Sequence, residues 1–261
     1  MLRAVLFDLD DTLLPDEAAA DAAILVTAAH ARAIHNLAPG DLRSSVRRIA
    51  RERFRAHPAV SNYQSFDVSS WEALSSSFAG DDAEMTALRE WAPRYRFDVW
   101  YDALAENGVA DVLLAGQLAC IYPEERRARY VAYPDVPPLL TALDGRYRLG
   151  VVTNGPCDLQ CEKLNRSGLA DRFPVRVISR EVGVMKPDPR IFAIALERLG
   201  VGPADAVMVG DSLRHDVAGA RGAGIRSVWL SRDGAAGPTD DTRPDWRIAS
   251  LAELPPLLAG L

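Results

Sequence analysis

Val5-Leu6-Phe7-Asp8-Leu9-Asp10-Asp11-Thr12-Leu13 decides the fold. An apolar run beginning at Leu2 breaks abruptly into three carboxylates and then a hydroxyl. The run is short, β-branched and aromatic, which predicts a buried strand rather than a helical turn. Side chains alternate along a strand, so Asp8 and Asp10 leave one face while Leu9 leaves the other. Adjacent carboxylates repel. Either one of them stays protonated or a cation sits between them. A hard divalent ion with oxygen ligands suits such a place, and Mg²⁺ is the usual choice where phosphate is also bound. Asp is equally a common turn-capping residue, so the stretch alone leaves both readings open.

The whole chain narrows the function classes. Its 261 residues suffice for one large domain or two modest ones. A composition of 48% hydrophobic and 25% charged residues is that of an ordinary globular protein. A net charge of −6 argues against general nucleic-acid binding, which needs a basic surface, though it leaves room for a local anion pocket. Cys120, Cys157 and Cys161 cannot all pair within one chain and form no metal-type CxxC, which points to a reducing compartment. The N-terminal apolar run is too short for a signal segment and ends in acid. Ala22 to Ala29 is too short to span a bilayer. A cytoplasmic protein without a membrane partner is expected, as a monomer or homodimer.

Downstream, Leu14-Pro15 breaks the chain, and Asp16 to about Leu37 has helical periodicity rich in alanine. Pro39-Gly40 should interrupt it, with Asp41 as N-cap of a second helix reaching about His57 and ended by Pro58. That helix carries Arg43, Arg47, Arg48, Arg51, Arg53 and Arg55, which reads either as an anion-attracting face or as a solvated one. From Ser61 to about Tyr133 the pattern stays helical, with breaks expected near Gly80-Asp81, Pro93, Gly108 and Pro123. Its aromatic residues, Trp71, Trp91, Tyr95, Trp100 and Tyr101, are expected in a core.

Near Pro134 the pattern changes to alternating short apolar runs and helices. Strands are expected at Leu149–Thr153, Val175–Ser179, Ala206–Gly210, Ser227–Leu230 and Trp246–Ala249. Helices are expected at Pro138–Leu143, Asp158–Ser167, Pro189–Leu199, Arg214–Gly222 and Leu251–Leu258. Such alternation predicts an α/β fold, a doubly wound, Rossmann-like parallel sheet covered on both faces. Residues 1–15 and 132–261 would form this core. Residues 16–131 would form a helical domain inserted after the first strand.

Several strand ends carry chemistry. Thr153-Asn154-Gly155 offers a hydroxyl, an amide and a permissive glycine at a strand–helix junction, where backbone N–H groups suit phosphate oxygens; it is also an ordinary turn sequence. In Lys186-Pro187-Asp188-Pro189, proline biases the lysine toward an extended backbone, and Asp188 and Pro189 make an N-cap and first helical position. The ammonium is thereby held just before a helix, where it can meet a phosphate or a carboxylate. Val207-Met208-Val209-Gly210-Asp211-Ser212 is a buried strand ending in acid, followed by Asp216. Asp211 would complete a cation site begun by Asp8 and Asp10, or else cap the next helix. His215 is expected to point to solvent.

Taken in order, Asp8-Leu9-Asp10-Asp11-Thr12, Thr153-Asn154, Lys186-Pro187 and Gly210-Asp211-Ser212 with Asp216 resemble the haloacid dehalogenase-like hydrolase superfamily. The inserted helical segment is similar in position to the cap of its small-metabolite phosphatases. The resemblance implies that Asp8 is the nucleophile, forming an aspartyl-phosphate, and that Asp10 acts as acid and then base. It implies that Thr153 and the Asn154 backbone hold the phosphoryl group with Lys186 neutralising charge. It implies Mg²⁺ held by Asp8, the Asp10 carbonyl and Asp211, with Thr12, Ser212 and Asp216 in support.

True dehalogenases of the superfamily lack the second aspartate, so Asp10 favours a phosphatase acting on a small phosphorylated metabolite: a sugar phosphate, phosphoglycolate or nucleoside monophosphate. The Asp-Asp-Thr form is similar to the nucleotidase and acylneuraminate-9-phosphatase branch. A dehalogenase and a non-catalytic phosphate-binding protein on the same fold are the alternatives. A signalling receiver domain would place its acidic pair before a separate nucleophile and would have no insertion, which is the opposite order.

Overall fold

A computed structural model describes residues 1–57, 68–232, 234, 237 and 242–261. They group into two compact units: Met1–Pro15 with Val131–Leu261, and Asp16–Tyr130.

The first unit begins with strand β1 (Ala4–Phe7), wholly buried. The chain then forms the second unit from α1 (Asp16–His35), α2 (Pro39–Ala56), α3 (Ser70–Ala73), α4 (Ala83–Glu106) and α5 (Val112–Arg127). The first unit resumes with α6 (Val136–Leu143), β2 (Arg148–Thr153), α7 (Cys157–Arg166), β3 (Val175–Ile178), α8 (Ser179–Val182) and α9 (Pro189–Leu199). It ends with β4 (Ala206–Gly210), a wide turn (Leu213–Val217), α10 (Ala218–Gly222), β5 (Arg226–Leu230), β6 (Trp246–Ile248) and α11 (Leu254–Ala259).

Among the described residues the six strands are all parallel, in the order β3-β2-β1-β4-β5-β6. The chain winds outward from β1 in both directions, so β1 lies at the point where strand order reverses, the usual ligand position of open α/β sheets. Its alternation is visible in the packing. Val5 and Phe7 join a core with Leu139, Leu140 and Leu254. Ala4 and Leu6 join another with Ile191, Phe192 and Ala195 on the opposite face. Leu9 continues the first set. Phe7 stands between Val151 and Val209 in register, and the Asp8 N–H extends the ladder by donating to the Val209 carbonyl at 3.0 Å.

The helical unit has its own core, with Trp100, Tyr95 and Tyr122 buried and Trp91 and Tyr101 packed against it. Trp91, Tyr95, Trp100 and Tyr101 are therefore core, as expected, whereas Trp71 is half-buried outside that core and donates its Nε1–H to Asp16 Oδ2 at 3.0 Å. Four of the six arginines of α2 serve ion pairs, Arg43 with Asp21, Arg47 with Glu17 and Asp21, Arg48 with Glu52 and Glu106, and Arg53 with Asp98 and Asp102, while Arg51 and Arg55 are exposed.

Local readings need correction at several points. Pro39 is the first residue of α2 and Ala38 its N-cap, so Asp41 lies inside the first turn. Proline suits that position because its missing N–H has no partner there in any case. Pro93 and Pro123 lie inside α4 and α5 instead of breaking them. Buried neighbours on each side, Ala92 and Tyr95 in one, Tyr122 and Arg126 in the other, hold the helices in place. That packing outweighs the ~3 kcal/mol an interior proline costs. Ser179 opens α8 and does not close β3. Pro58 and the helical reading from Ser61 to residue 67 lie outside the described residues. Among those described, no helix is long and apolar enough to cross a membrane.

Candidate active site

The site is assembled by loops at the carboxyl ends of β1, β2 and β4, with Lys186 supplied by the segment between α8 and α9. The loop after β1 turns sharply: the Leu13 and Leu14 N–H groups both donate to the Leu9 carbonyl, and Asp11 N–H donates to the Leu14 carbonyl at 2.7 Å. Asp11 takes the left-handed conformation this turn requires (φ 54°), which Asp tolerates better than most residues. Asp11 thus belongs to the turn through its backbone, while the Asp8 and Asp10 carboxylates bond to Lys186 and to Gln160 and Lys163.

Asp8 is buried, and one carboxylate oxygen does most of the bonding. Its Oδ1 accepts from the Leu9 N–H at 2.7 Å and lies 2.6 Å from Lys186 Nζ. The same ammonium donates to Asp216 Oδ1 at 2.7 Å, so one buried cation bridges two buried acids. Asp216 Oδ2 accepts from the Ser212 N–H at 3.0 Å. Ser212 in turn caps the following turn by accepting from the His215 N–H at 3.1 Å. That turn is widened: the Val217 N–H reaches back five residues to the Ser212 carbonyl, a geometry often found at functional sites. His215 is half-buried and not wholly in solvent.

Thr12, fully buried, exchanges two bonds with Asp211. Its Oγ1 accepts from the Asp211 N–H at 3.1 Å and donates to Asp211 Oδ1 at 3.2 Å. Two groups that the sequence left unassigned tie this corner down. Trp229 Nε1 donates to the Asp211 carbonyl at 2.8 Å, and Arg232 donates to the Thr12 carbonyl at 3.1 Å while its guanidinium is held by Asp135. The β5 pattern announces Trp229 as a strand residue but not its partner.

Asp8, Asp211 and Asp216 each offer a carboxylate oxygen, all within 4.8 Å of one another. The electrostatics show what the cluster lacks. Burial, then the Asp216 charge, pushes Asp8 up to about 6 against the pull of Lys186. Burial, then Asp8, Asp216 and Asp11, pushes Asp211 up to about 8. Burial opposes the charge on Lys186, but Asp216 and Asp8 outweigh it and hold the ammonium firmly protonated. One lysine therefore does not neutralise the site, and an all-oxygen set short of positive charge fits a hard divalent ion. Of the three acids, Asp216 has both oxygens engaged by Lys186 and Ser212, which suits it to support rather than to bind.

Asn154 forms a reciprocal pair with the Lys186 backbone: its side-chain NH₂ donates to the carbonyl at 3.1 Å, and its side-chain oxygen accepts from the N–H at 2.8 Å. The Asn154 side chain thus positions the lysine, and its backbone carbonyl accepts from the Thr153 hydroxyl at 3.4 Å. Gly155 (φ 129°) donates its N–H to Ser179 Oγ at 2.9 Å. The Thr153 hydroxyl, buried at the end of β2, accepts from Gln160 Nε2 at 2.6 Å.

Asp10 stands apart from the three-acid cluster. Lys163 Nζ donates to its Oδ1 at 2.7 Å and Gln160 Nε2 to its Oδ2 at 2.8 Å. Sequence reading misses both residues, because a lysine and a glutamine on a mixed helix look like a wetted face.

An open, all-parallel sheet with acid, amide and ammonium groups gathered at the carboxyl ends of its central strands defines a doubly wound α/β enzyme. Comparison with known proteins names the lineage. A family model described as haloacid dehalogenase-like hydrolase matches residues 2–224, and the chain belongs to that family. It is 38% identical to a phosphoserine phosphatase of Thermus thermophilus, over 97% of this chain and 98% of that protein. It is 31% identical to a glyceraldehyde 3-phosphate phosphatase of Methanopyrus kandleri, over 97% and 96% respectively. Among solved structures, a 2-haloacid dehalogenase from Pseudomonas syringae superposes with a TM-score of 0.60 at 30% identity, covering 100% of this chain and 99% of that one.

Proposed function

We propose that the protein is a Mg²⁺-dependent phosphomonoesterase that hydrolyses a small phosphorylated metabolite through an aspartyl-phosphate on Asp8. The observation that carries this reading is the convergence of Asp8, Asp211 and Asp216 oxygens within 4.8 Å, Lys186 bridging Asp8 and Asp216, with Asp10 held separately nearby in sequence. Mg²⁺, held by Asp8, Asp211 and the Asp10 carbonyl with Asp216 behind them, would supply charge neutralisation for the phosphoryl oxygens.

In the first step a carboxylate oxygen of Asp8 attacks phosphorus and the ester oxygen departs with its electron pair, taking a proton from Asp10. In the second, Asp10, now ionised, takes a proton from water. That water's oxygen attacks phosphorus, phosphate leaves, and the Asp8 carboxylate and the proton on Asp10 are restored. The Thr153 hydroxyl, the Asn154 backbone and the Lys186 ammonium hold the phosphoryl oxygens. Positioning and charge neutralisation carry most of the catalysis in such transfers.

The phosphatases that match along nearly the whole chain support this substrate class and make phosphoserine and triose phosphates first candidates beside sugar phosphates, phosphoglycolate and nucleoside monophosphates. The likeness to a 2-haloacid dehalogenase raises a second reading, a carbon–halogen hydrolase. Asp10 argues against it, since attack on carbon expels halide and needs no proton donor. The helical unit, inserted in sequence directly after the β1 loop, is assigned the choice of substrate. The three free cysteines suit a cytoplasmic location. A panel of phosphorylated metabolites and 2-haloacids, assayed with Mg²⁺ and with chelator, tests the reading. Mg²⁺-dependent phosphate release that Asp8→Asn abolishes supports it. Halide release without phosphate release overturns it.

A further inference from the structure

Helix α7 carries a polar pair that the proposed chemistry leaves without a role. Gln160 and Lys163 lie three residues apart, on one face of the helix, and both are wholly buried. The Gln160 amide donates at once to Asp10 Oδ2 at 2.8 Å and to the Thr153 hydroxyl at 2.6 Å. Lys163 Nζ lies 2.7 Å from Asp10 Oδ1. Gln160 Oε1 is buried with no hydrogen-bond partner among the described residues. The Asp10 side chain itself keeps 25% of its surface exposed.

This is an expensive arrangement for stability alone. A buried ammonium and a buried amide with one orphaned oxygen both cost desolvation, and apolar residues of like volume often serve a core as well or better. What the arrangement does achieve is geometric. Each Asp10 oxygen accepts a donor from α7, which fixes the carboxylate plane, and a carboxylate has lone pairs left over for a ligand on its exposed side. The glutamine further ties that plane to the hydroxyl at the end of β2.

We infer that Gln160 and Lys163 are positioning residues that hold the Asp10 carboxylate in the orientation needed for proton transfer to the leaving oxygen, with Gln160 coupling it to Thr153. The inference rests on the reading of Asp10 as acid and base. Misorientation of the acid matters most when the leaving group is a poor one. An alkoxide must be protonated as it departs. A nitrophenolate leaves readily as the anion.

The test compares kcat/KM, which reports the first chemical step, for an alkyl phosphate and for p-nitrophenyl phosphate in Gln160→Leu, Lys163→Met and Lys163→Arg. The expected result is a loss of about 10²-fold for the alkyl ester, and of no more than a few-fold for the aryl ester, in the first two variants. Lys163→Arg should recover part of the alkyl activity. An equal loss for both esters in a variant with wild-type circular dichroism, or no loss for either, overturns the inference. Should Lys163→Met fail to fold, the neutral Gln160→Leu change decides. Asp8→Asn, run alongside, separates the two failures. If it retains turnover, the aspartyl-phosphate reading falls and this inference with it. If it is inactive while the alkyl-to-aryl ratio stays fixed in the α7 variants, only the inference falls.

Discussion

Gly210 and Asp216 compete for the same space: a Cβ built on residue 210 would stand 2.2 Å from Asp216 Oδ2. The clash is with a fully buried carboxylate held at both oxygens, so it cannot be relieved by a simple rotation. Gly210→Ala is expected to destabilise the fold by about 1–3 kcal/mol in urea denaturation. It should weaken activity as well, because Asp216 can move only by releasing Lys186 or Ser212. Wild-type stability with wild-type activity would contradict this placement.

The crowded acids make stability depend on pH. Burial and mutual repulsion raise Asp8 from 3.8 to about 6 and Asp211 from 3.8 to about 8 in the cation-free protein. From pH about 4 to about 8 the folded chain therefore holds more protons than the unfolded one, and stability falls as pH rises through that window. Lys186 stays protonated throughout it and does not reverse the sign. In EDTA, Tm should decline between about pH 5 and about pH 8, and the increase on adding Mg²⁺ should grow over the same range. A Mg²⁺ effect that shrinks toward pH 8 would go against it.

Lys186 should prove structural as well as catalytic. Its side chain is 2% exposed, and its ammonium bridges Asp8 and Asp216. Lys186→Met leaves two buried acids facing each other, with an expected loss of about 3–5 kcal/mol. Adding Asp8→Asn to that variant removes one of the facing charges and should recover part of the loss. Strict additivity of the two changes in a double-mutant cycle would show that the residues do not interact.

Asp10→Asn is expected to slow both formation and breakdown of the intermediate, by about 10²- to 10⁴-fold overall. Mg²⁺ affinity measured by calorimetry should stay near wild type, because the metal contact assigned to this residue is its backbone carbonyl. Loss of Mg²⁺ binding with the fold intact would move the contact to the side chain.

How far the sequence reaches depends on the kind of constraint. The strands are legible because fully buried parallel strands are short, continuous and apolar between glycine and proline punctuation, and β4 is recovered to the residue. Asp8, Thr153, Lys186 and Asp211 are legible as polar groups next to such strands or before a helix. The second tier is not. Gln160 and Lys163 read as solvent-facing until the fold turns that face of α7 toward Asp10, and the Trp229 bond to the Asp211 carbonyl joins segments 18 residues apart. The Asn154 side chain illustrates the same limit: the sequence assigns a role only to its backbone, and the reciprocal bonds of its amide to the Lys186 backbone emerge from the fold. Pro93 and Pro123 show tertiary packing overriding local preference.

The most direct measurement is to mix the protein with Mg²⁺ and a phosphomonoester radiolabelled in its phosphoryl group, quench in acid within one turnover, and locate the label by peptide mass spectrometry. The expected result is an acid-stable, alkali-labile label on the peptide bearing Asp8, absent from Asp8→Asn. Phosphate released without any labelled protein, or a label that survives the Asp8→Asn change, would contradict covalent catalysis by this residue.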